Sequence, residues 1–375
     1  DLSVLREHRE VWSTTTKESK SLLKSSGGST TLPSSSKEQN LLVGYKYSTG
    51  STHNLGLSTT IVGGTVLIIF VTVWISSLVS PALLYLSIHH QQGYLAAAII
   101  FATTCAYLPW EKGTVSKYAT AVIRCNPLYY KNCTSLFQTA SSLPYEPENP
   151  RTKNKTKPNF YAVHPHGAFC LGWSILFSSP KMTSVRFCFS PALYMSPFFR
   201  LWSRLCGNPG RADKPSMVKY MKRKENVALP PGGFEEATLT SKHHDRVYIK
   251  KRVGFVKLAL QHGYDIVPVY CFGENATYSN VQGAWKLRLK MNSFGIPAIL
   301  TFGAWFLPLL PKRSKYGLYV VCGDALKLPT IENPTREEVK VWHDKYMAAL
   351  VKVFEDHKCD AYGEEEGKTK KLELW

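Results

Sequence analysis

Hydrophobic and polar positions are distributed in three different ways along the chain. Over residues 1–57 apolar side chains are sparse and Ser, Thr, Lys and Gly dominate, as in Ser25-Ser26-Gly27-Gly28-Ser29-Thr30-Thr31. Such a segment buries too little apolar surface to offset its ordering entropy, so a disordered polar tail is expected there. From Tyr47 to Trp110 the chain then contains no Asp, Glu, Lys or Arg. One apolar run extends from Thr60 to Ile88 and a second from Tyr94 to Leu108, separated by His89-His90-Gln91-Gln92. A spanning helix needs about 20 apolar residues; the first run meets this and the second is short. The pattern predicts a membrane-embedded helical hairpin over 58–110, bent at Pro81 or at the polar break, with a pair of buried core helices as the soluble alternative. Lys46 precedes the runs and Lys112, Lys117 and Arg124 follow them. Basic residues on both flanks place both ends of the hairpin, and both termini of the chain, in the cytosol.

Beyond Glu111 the period changes. Short β-rich runs appear at Phe160–Val163, Val227–Leu229, Asp265–Tyr270 and Tyr316–Val321. Between the second and third, Gly254–His262 reads as a short helix stopped by Gly263. Near the end, Asn333 is placed to cap a helix with Pro334 at its first position and Glu337 and Glu338 in its first turn. Val339, Trp342, Tyr346, Leu350 and Phe354 recur there at helical spacing. Strands alternating with helices predict an α/β domain over 111–375.

Charge sharpens this picture. The chain of 375 residues carries a formal net charge of +19. Residues 1–57 hold seven basic and five acidic side chains, leaving 39 against 22 beyond them, so the excess lies downstream of the tail. A basic surface attracts phosphates of nucleic acid, lipid headgroups or a phosphorylated cofactor. No helix-turn-helix, zinc-finger or RNP-like pattern accompanies it, and the adjoining apolar segment favours lipid and coenzyme A. The nine cysteines show no Cys-x-x-Cys spacing, which suggests reduced thiols facing the cytosol. Sequons at Asn132, Asn154 and Asn275 are read as unused.

Three clusters carry candidate chemistry. In Tyr161-Ala162-Val163-His164-Pro165-His166-Gly167 an apolar strand runs into two histidines. Pro165 restrains His164 to an extended conformation, so both rings are expected on similar sides of the strand end, where open α/β sheets bind ligands. A general base, a metal-ligating pair and a structural role all fit these residues. Val227–Ala237 reads as strand, tight turn and helix start, with Gly232 and Gly233 exposing N–H groups suited to an oxyanion or phosphate, or simply making the turn. Glu235 and Glu236 complement that helix's dipole, or one of them orients a histidine. Lys250-Lys251-Arg252-Val253-Gly254-Phe255-Val256-Lys257 sets cations beside apolar residues, as an anionic cofactor or a lipid surface requires; for Lys250 and Lys251 a solvated face is the simpler account.

These blocks and their order resemble the diacylglycerol acyltransferase type 2 family: His164-Pro165-His166-Gly167, then Pro231-Gly232-Gly233 with Glu236, then Arg252-x-Gly254-Phe255-Val256-Lys257-Leu258-Ala259 and Val267-Pro268-Val269-Tyr270-x-Phe272-Gly273-Glu274-Asn275, downstream of a membrane hairpin. The segment from Asn333 to Lys358 resembles the family's C-terminal helix, so the likeness runs from about residue 60 to the end. The resemblance implies a glycerolipid-acyltransferase-like mixed sheet with flanking helices, preceded by the N-terminal membrane hairpin, at the endoplasmic reticulum membrane and the lipid droplet. It implies an acyl-CoA-dependent O-acyltransferase making triacylglycerol from diacylglycerol and fatty acyl-CoA, with monoacylglycerol or long-chain-alcohol (wax ester) acylation as the alternative. Acyl-CoA enters as substrate, so neither cofactor nor metal is implied; a homo-oligomer is compatible with the reading.

Plant members replace the family's first histidine by Glu and keep the second, which makes His166 the catalytic candidate and His164 a supporting one. The wider superfamily pairs its histidine with an Asp four residues on; here that residue is Cys170, and Glu236 is the expected substitute, holding the His166 imidazole. Gly232 and Gly233, with Gly167 in the histidine turn, are the oxyanion candidates, and Arg252 and Lys257 the acyl-CoA phosphate ligands. The family's neutral-lipid pattern Phe-Leu-x-Leu is met loosely by Leu83, Leu84 and Leu86. Cys170 as an acyl-carrying nucleophile, a metal-dependent membrane hydrolase built on His164 and His166, and a non-catalytic lipid-droplet scaffold are the rival readings.

Overall fold

A computed structural model of the chain describes residues 43–48, 57–108, 132–143, 157–177, 179–295, 298–312 and 316–375. In chain order the strands are β1 (Val43–Ser48), β2 (Asn132–Phe137), β3 (Asn159–His164), β4 (Arg186–Phe189), β5 (Pro209–Arg211), β6 (Val227–Leu229), β7 (Asp245–Val247), β8 (Asp265–Phe272), β9 (Ser279–Asn280), β10 (Thr301–Phe302), β11 (Leu318–Cys322) and β12 (Leu372–Leu374). The α-helices are α1 (Leu57–His89), α2 (Gly93–Tyr107), α3 (Leu171–Phe177), α4 (Pro191–Met195), α5 (Pro197–Cys206), α6 (Lys214–Lys222), α7 (Gly233–Leu239), α8 (Gly254–His262), α9 (Trp285–Ser293), α10 (Arg336–Tyr362) and α11 (Glu364–Thr369).

Eight strands form a mixed sheet in the order β1-β2-β11-β8-β3-β6-β4-β5. Its five strands β8, β3, β6, β4 and β5 run parallel to their neighbours, whereas β11 pairs antiparallel with β8 and parallel with β2, and β1 antiparallel with β2. The mixed α/β expectation therefore holds. β3 pairs with β8 from Asn159 opposite Asp265 to His164 opposite Tyr270, and with β6 up to Ala162 opposite Leu229. The turns leaving β3, β6 and β8 thus emerge side by side at the carboxyl edge of the sheet.

Side-chain alternation sorts the core into two layers. Tyr161 and Val163 of β3 and Val267, Val269 and Cys271 of β8 face one side, with Leu171, Trp173 and Leu176 of α3 and Phe199 of α5. Phe160 and Ala162, with Ile266, Tyr270 and Phe272, face the other, against Phe255, Val256 and Leu260 of α8 and Tyr346, Leu350 and Phe354 of α10. All eight residues of β8 are buried, as expected for a central strand covered on both faces; burial of each large apolar side chain is worth about 1.5–3 kcal/mol.

Three expectations need adjustment. Within the stretch read as a polar tail, Val43–Ser48 forms the edge strand β1, where Val43, Tyr45 and Tyr47 supply alternating β-formers; the rest of that stretch lies outside the described residues apart from Leu57. α10 is capped by Thr335 rather than Asn333. The Thr335 hydroxyl accepts the Glu338 N–H at 3.1 Å while the Glu338 carboxylate accepts the Thr335 N–H at 2.8 Å, a reciprocal box that fixes the helix start two residues later. The helical hairpin bends at the polar break, between α1 and α2, and α1 continues through Pro81. Val71 of α1 is buried in the α3-side core, with Ile68 and Ile75 packed against it. Among the described residues no helix is long and apolar enough to cross a membrane, several α1 side chains lying outside them. Lys112, Lys117 and Arg124 also lie outside the described residues.

The hairpin is fastened to the domain at its far end. Arg200 Nε donates to the Ala106 carbonyl at 2.9 Å, and Arg204 Nη1 to those of Ala106 and Leu108 at 3.0 and 2.8 Å. Two cations of α5 thereby satisfy carbonyls at the C-terminal end of α2, where the helix dipole is negative. The Arg200 guanidinium also stacks on Tyr107 and Tyr194.

Candidate active site

β3 delivers His164 with its ring on the α10 side, in the same alternation phase as Phe160 and Ala162. The ring is fully buried. Its Nδ1 lies 2.9 Å from Glu236 Oε2 and 3.0 Å from Oε1, and its Nε2 lies 3.0 Å from the Tyr346 hydroxyl. The carboxylate oxygens of Glu236 accept, so Nδ1 donates to them and Nε2 is left to accept from the Tyr346 hydroxyl. Both nitrogens are spent inside the protein, and His164 offers nothing to a substrate.

Glu236 is fully buried in the first turn of α7. Besides His164, its Oε1 accepts the His166 main-chain N–H at 2.7 Å and its Oε2 the Tyr248 N–H at 2.9 Å. Three donors compensate the desolvation of this carboxylate. The pairing expected from sequence, Glu236 with the His166 imidazole, is not the one formed: the carboxylate holds the His164 ring and the His166 backbone. The two rings diverge instead of sharing a side: His164 reaches Tyr346 in the α10 layer, whereas His166 lies against Cys170 of the opposite layer, and Gly167, next in the turn, adopts φ +63°.

His166 is half-buried. Its Nδ1 lies 2.9 Å from the Gly167 carbonyl, to which it donates, leaving Nε2 with its lone pair. Cys170 Sγ sits 3.4 and 3.5 Å from the two ring nitrogens. Burial lowers the His166 pKa below its ordinary 6.5, which the Gly167 bond and the Glu236 charge only partly oppose. That direction favours the neutral imidazole, the form that can take up a proton. Burial pushes the Cys170 thiol well above its ordinary range, with Glu274 and Glu236 adding to the effect, so a thiolate nucleophile is disfavoured there.

A second buried carboxylate brackets the turn from β8. Glu274 accepts the N–H groups of Leu171 and Gly172 at 3.1 and 2.6 Å, and burial raises its pKa to about 7. It packs so closely on Gly167 that a β-carbon there would lie 2.2 Å from its Oε1, over and above the backbone strain of a side chain at that φ.

At the β6 turn, a β-carbon on Gly232 would lie 2.1 Å from Glu236 Oε2, so glycine is what lets the turn close over the carboxylate. Gly233, at φ +58°, donates its N–H to the Pro230 carbonyl at 3.3 Å, which removes it as a free oxyanion donor and leaves that part to Gly232. Arg252 is also engaged: it pairs with the Glu235 carboxylate, reaches the Gly232 carbonyl at 3.4 Å and stacks on Tyr248. Lys257 is exposed on α8 and, among the described residues, forms no ion pair. Leu83 and Leu86 are exposed on α1 and Leu84 is half-buried; no hydrogen bond or ring contact ties them to the histidine turn.

Three adjacent strand ends thus assemble His164, His166 and Gly167 from β3, Gly232 and Glu236 after β6, and Glu274 after β8. Tyr346 and Glu274 were not among the expected site residues. Tyr346 was legible only as one apolar position in a helical stripe, and Glu274 only as part of a motif block. No three His, Cys, Asp or Glu side chains converge as metal ligands among the described residues.

Comparison with known proteins bears on this arrangement. The family model for diacylglycerol acyltransferase matches residues 147–374, a span containing every residue of the histidine site. The chain is 32% identical over 228 residues to mouse diacylglycerol O-acyltransferase 2-like protein 6, covering 53% of this chain and 66% of that one. It is 30% identical over 224 residues to zebrafish (Danio rerio) diacylglycerol O-acyltransferase 2, covering 53% and 60%. It is 32% identical over 234 residues to bovine 2-acylglycerol O-acyltransferase 1, covering 56% and 68%. The match therefore spans roughly three-fifths to two-thirds of these relatives' length. No solved structure matches. With the model covering well over half of the sequence and the histidine, glycine and glutamate blocks in place at the strand ends, the chain belongs to the diacylglycerol acyltransferase family.

Proposed function

We propose that this chain transfers a fatty acyl group from acyl-CoA to the free hydroxyl of diacylglycerol, forming triacylglycerol at the endoplasmic reticulum membrane and the lipid-droplet surface. The observation that carries the reading is the His166 ring: half-buried, oriented through Nδ1 by the Gly167 carbonyl, and set at the carboxyl edge of three parallel strands.

His166 Nε2 takes the hydroxyl proton as the alcohol oxygen attacks the thioester carbonyl. The carbonyl electrons move onto oxygen, where the Gly232 N–H is the candidate donor. Collapse of the tetrahedral adduct breaks the C–S bond, and the imidazolium returns its proton to the departing coenzyme A sulfur. General-base action is typically worth about 10²–10⁴ in rate, and one oxyanion donor about 10²–10³. Glu236 acts on His166 through its backbone N–H rather than its ring, and His164 with Tyr346 holds Glu236 in turn. Lys257 is the ligand assigned to coenzyme A phosphates; Arg252, neutralised by Glu235, shapes the glycine turn. The α1–α2 hairpin, with exposed Leu83 and Leu86, lies in lipid and gives the acceptor its route to the site, both termini remaining cytosolic.

Monoacylglycerol is the second acceptor to test, since one of the relatives is named a 2-acylglycerol O-acyltransferase; long-chain alcohols complete the panel. The metal-hydrolase reading loses support because His164 spends both ring nitrogens on Glu236 and Tyr346. The test supplies microsomes bearing the full chain with labelled acyl-CoA and each acceptor, and resolves the esters by chromatography. Label in triacylglycerol that vanishes in His166→Ala supports the reading. Transfer that survives His166→Ala and fails in Cys170→Ser sinks the mechanism, and loss of turnover on adding chelator sinks the reaction class.

A further inference from the structure

From Asn275 to Gly323 the chain carries six Lys or Arg and no Asp or Glu, and within this stretch residues 294–311 carry no charge at all. The uncharged part ends in a tight turn. The Leu307 N–H donates to the Ala304 carbonyl at 3.1 Å, Gly303 to Pro308 at 2.7 Å and Ala304 to Leu310 at 2.7 Å. These bonds push Trp305 and Phe306 to the tip, where they are 92% and 64% exposed and meet edge to face. The base of the turn is anchored: Leu310 is buried, Ala304 and Leu307 pack against the same core, and the Tyr278 hydroxyl donates to the Leu309 carbonyl at 2.8 Å. That core is the one into which α1 inserts Val71, so the tip and the hairpin belong to the same face of the sheet.

We infer that the Trp305–Phe306 turn is a second lipid anchor, inserted into the phospholipid surface that holds the hairpin. The inference rests on the membrane placement proposed above. Trp favours the membrane–water interface, where its ring is apolar and its N–H stays wet. Lys286 and Lys290 on α9 are exposed before the tip, a basic flank suited to anionic headgroups. A second copy of the chain fits less well. Leu300, Phe302 and Leu309 beside the tip are exposed as well, but the charged residues from Asn275 to Gly323 are all Lys or Arg, which would repel a second copy and are matched by anionic headgroups. A lipid surface needs no complementary partner, and two rings on a constrained turn suffice to engage it. Two contacts on one face, hairpin and tip, fix how the domain sits on the surface.

The test reconstitutes the full chain in phosphatidylcholine vesicles containing phosphatidylserine, with and without acyl chains brominated near the headgroup. Brominated lipid is expected to quench a fraction of the tryptophan emission that Trp305→Tyr lacks. Equal fractional quenching in both proteins would overturn the proposal. Equal quenching together with a dimer that Trp305→Ser dissolves would assign the tip to a second copy. The double variant Trp305→Ser/Phe306→Ser should lower transfer to a vesicle-borne acceptor at least about tenfold, since burial of even one of its two rings is worth that much, while changing transfer to a detergent-dispersed acceptor by about twofold or less. An equal loss in both presentations also overturns it. Should the wild-type chain show no transfer in either presentation, the proposed function fails by itself, since quenching needs no turnover and still decides the anchor.

Discussion

His164 and His166 are two residues apart and differ in every property that matters to chemistry. His164 is sealed between Glu236 and Tyr346, whereas the Nε2 of His166 meets only the weakly bonding Cys170 thiol, and the ring loses proton affinity through burial. Replacing His166 by Ala should cost about 10²–10⁴ in kcat with the fold retained, read as initial rates beside an unchanged melting curve. Because the depressed pKa lies below the ordinary 6.5, the basic form predominates above that value and is lost as pH falls through it. The acid limb of the kcat/KM profile is therefore expected below pH 6.5, and a limb above it would count against His166. Tyr346→Phe removes the partner of His164 Nε2 without touching His166, leaving a buried acceptor unsatisfied at about 1–3 kcal/mol. It should lower stability by that amount and reduce kcat, while leaving the acid limb in place. Glu274 has the opposite linkage. Its folded pKa of about 7 exceeds the ordinary 4.5, so its contribution is present at low pH and declines as pH rises between those values. Glu274→Gln should remove that component from the dependence of Tm on pH.

At the scale of elements, what could be read from sequence is what is local. β3, β6, β8 and β11 were visible as β-rich runs, and α8 as a helix with a glycine stop, because each announces itself within a few residues. The two glycine-bearing turns were visible for the same reason. The pairing of Glu236 with His164 was not, since it depends on which of two imidazoles the β3 alternation turns towards α7 and α10, and no spacing encodes that. Tyr346 was hidden in the apolar stripe of α10, where a hydroxyl that serves a buried histidine looks like any aromatic core position. β5 escaped because Pro209-Gly210-Arg211 contains no β-former, unlike the equally short Val227-Ala228-Leu229 of β6. The Thr335 cap was displaced to Asn333 by the neighbouring Pro334, although Thr335 with Glu338 has the capping-box spacing. Thr335→Ala should destabilise the domain by about 0.5–2 kcal/mol, seen as a lower denaturation midpoint with unchanged slope.

For the whole molecule, the formal net charge of +19 matters only through cations that are free to act. Under the proposed function the donor, acyl-CoA, is a polyanion arriving from water, so its capture would be screened by salt whereas the chemistry beside buried Glu236 would not; the Debye length is about 10 Å at 0.1 M ionic strength. KM for acyl-CoA should accordingly rise with ionic strength at nearly constant kcat. Lys257, exposed and outside every ion pair among the described residues, should carry part of that slope. An exposed ionic contact is worth about 0.2–1 kcal/mol, so Lys257→Ala is expected to raise KM about 1.4-fold to fivefold and flatten the salt dependence. Arg252 should behave differently, because its charge is already matched by Glu235 and its side chain braces the Gly232 carbonyl. Arg252→Ala frees a carboxylate beside the turn assigned to the oxyanion, so it should depress kcat as well as raise KM, and Arg252→Ala/Glu235→Gln should recover part of the kcat loss. Were Arg252→Ala to raise KM alone, with kcat intact and no recovery in the double variant, Arg252 would be a phosphate ligand after all, and the Glu235 pair would give way when acyl-CoA binds.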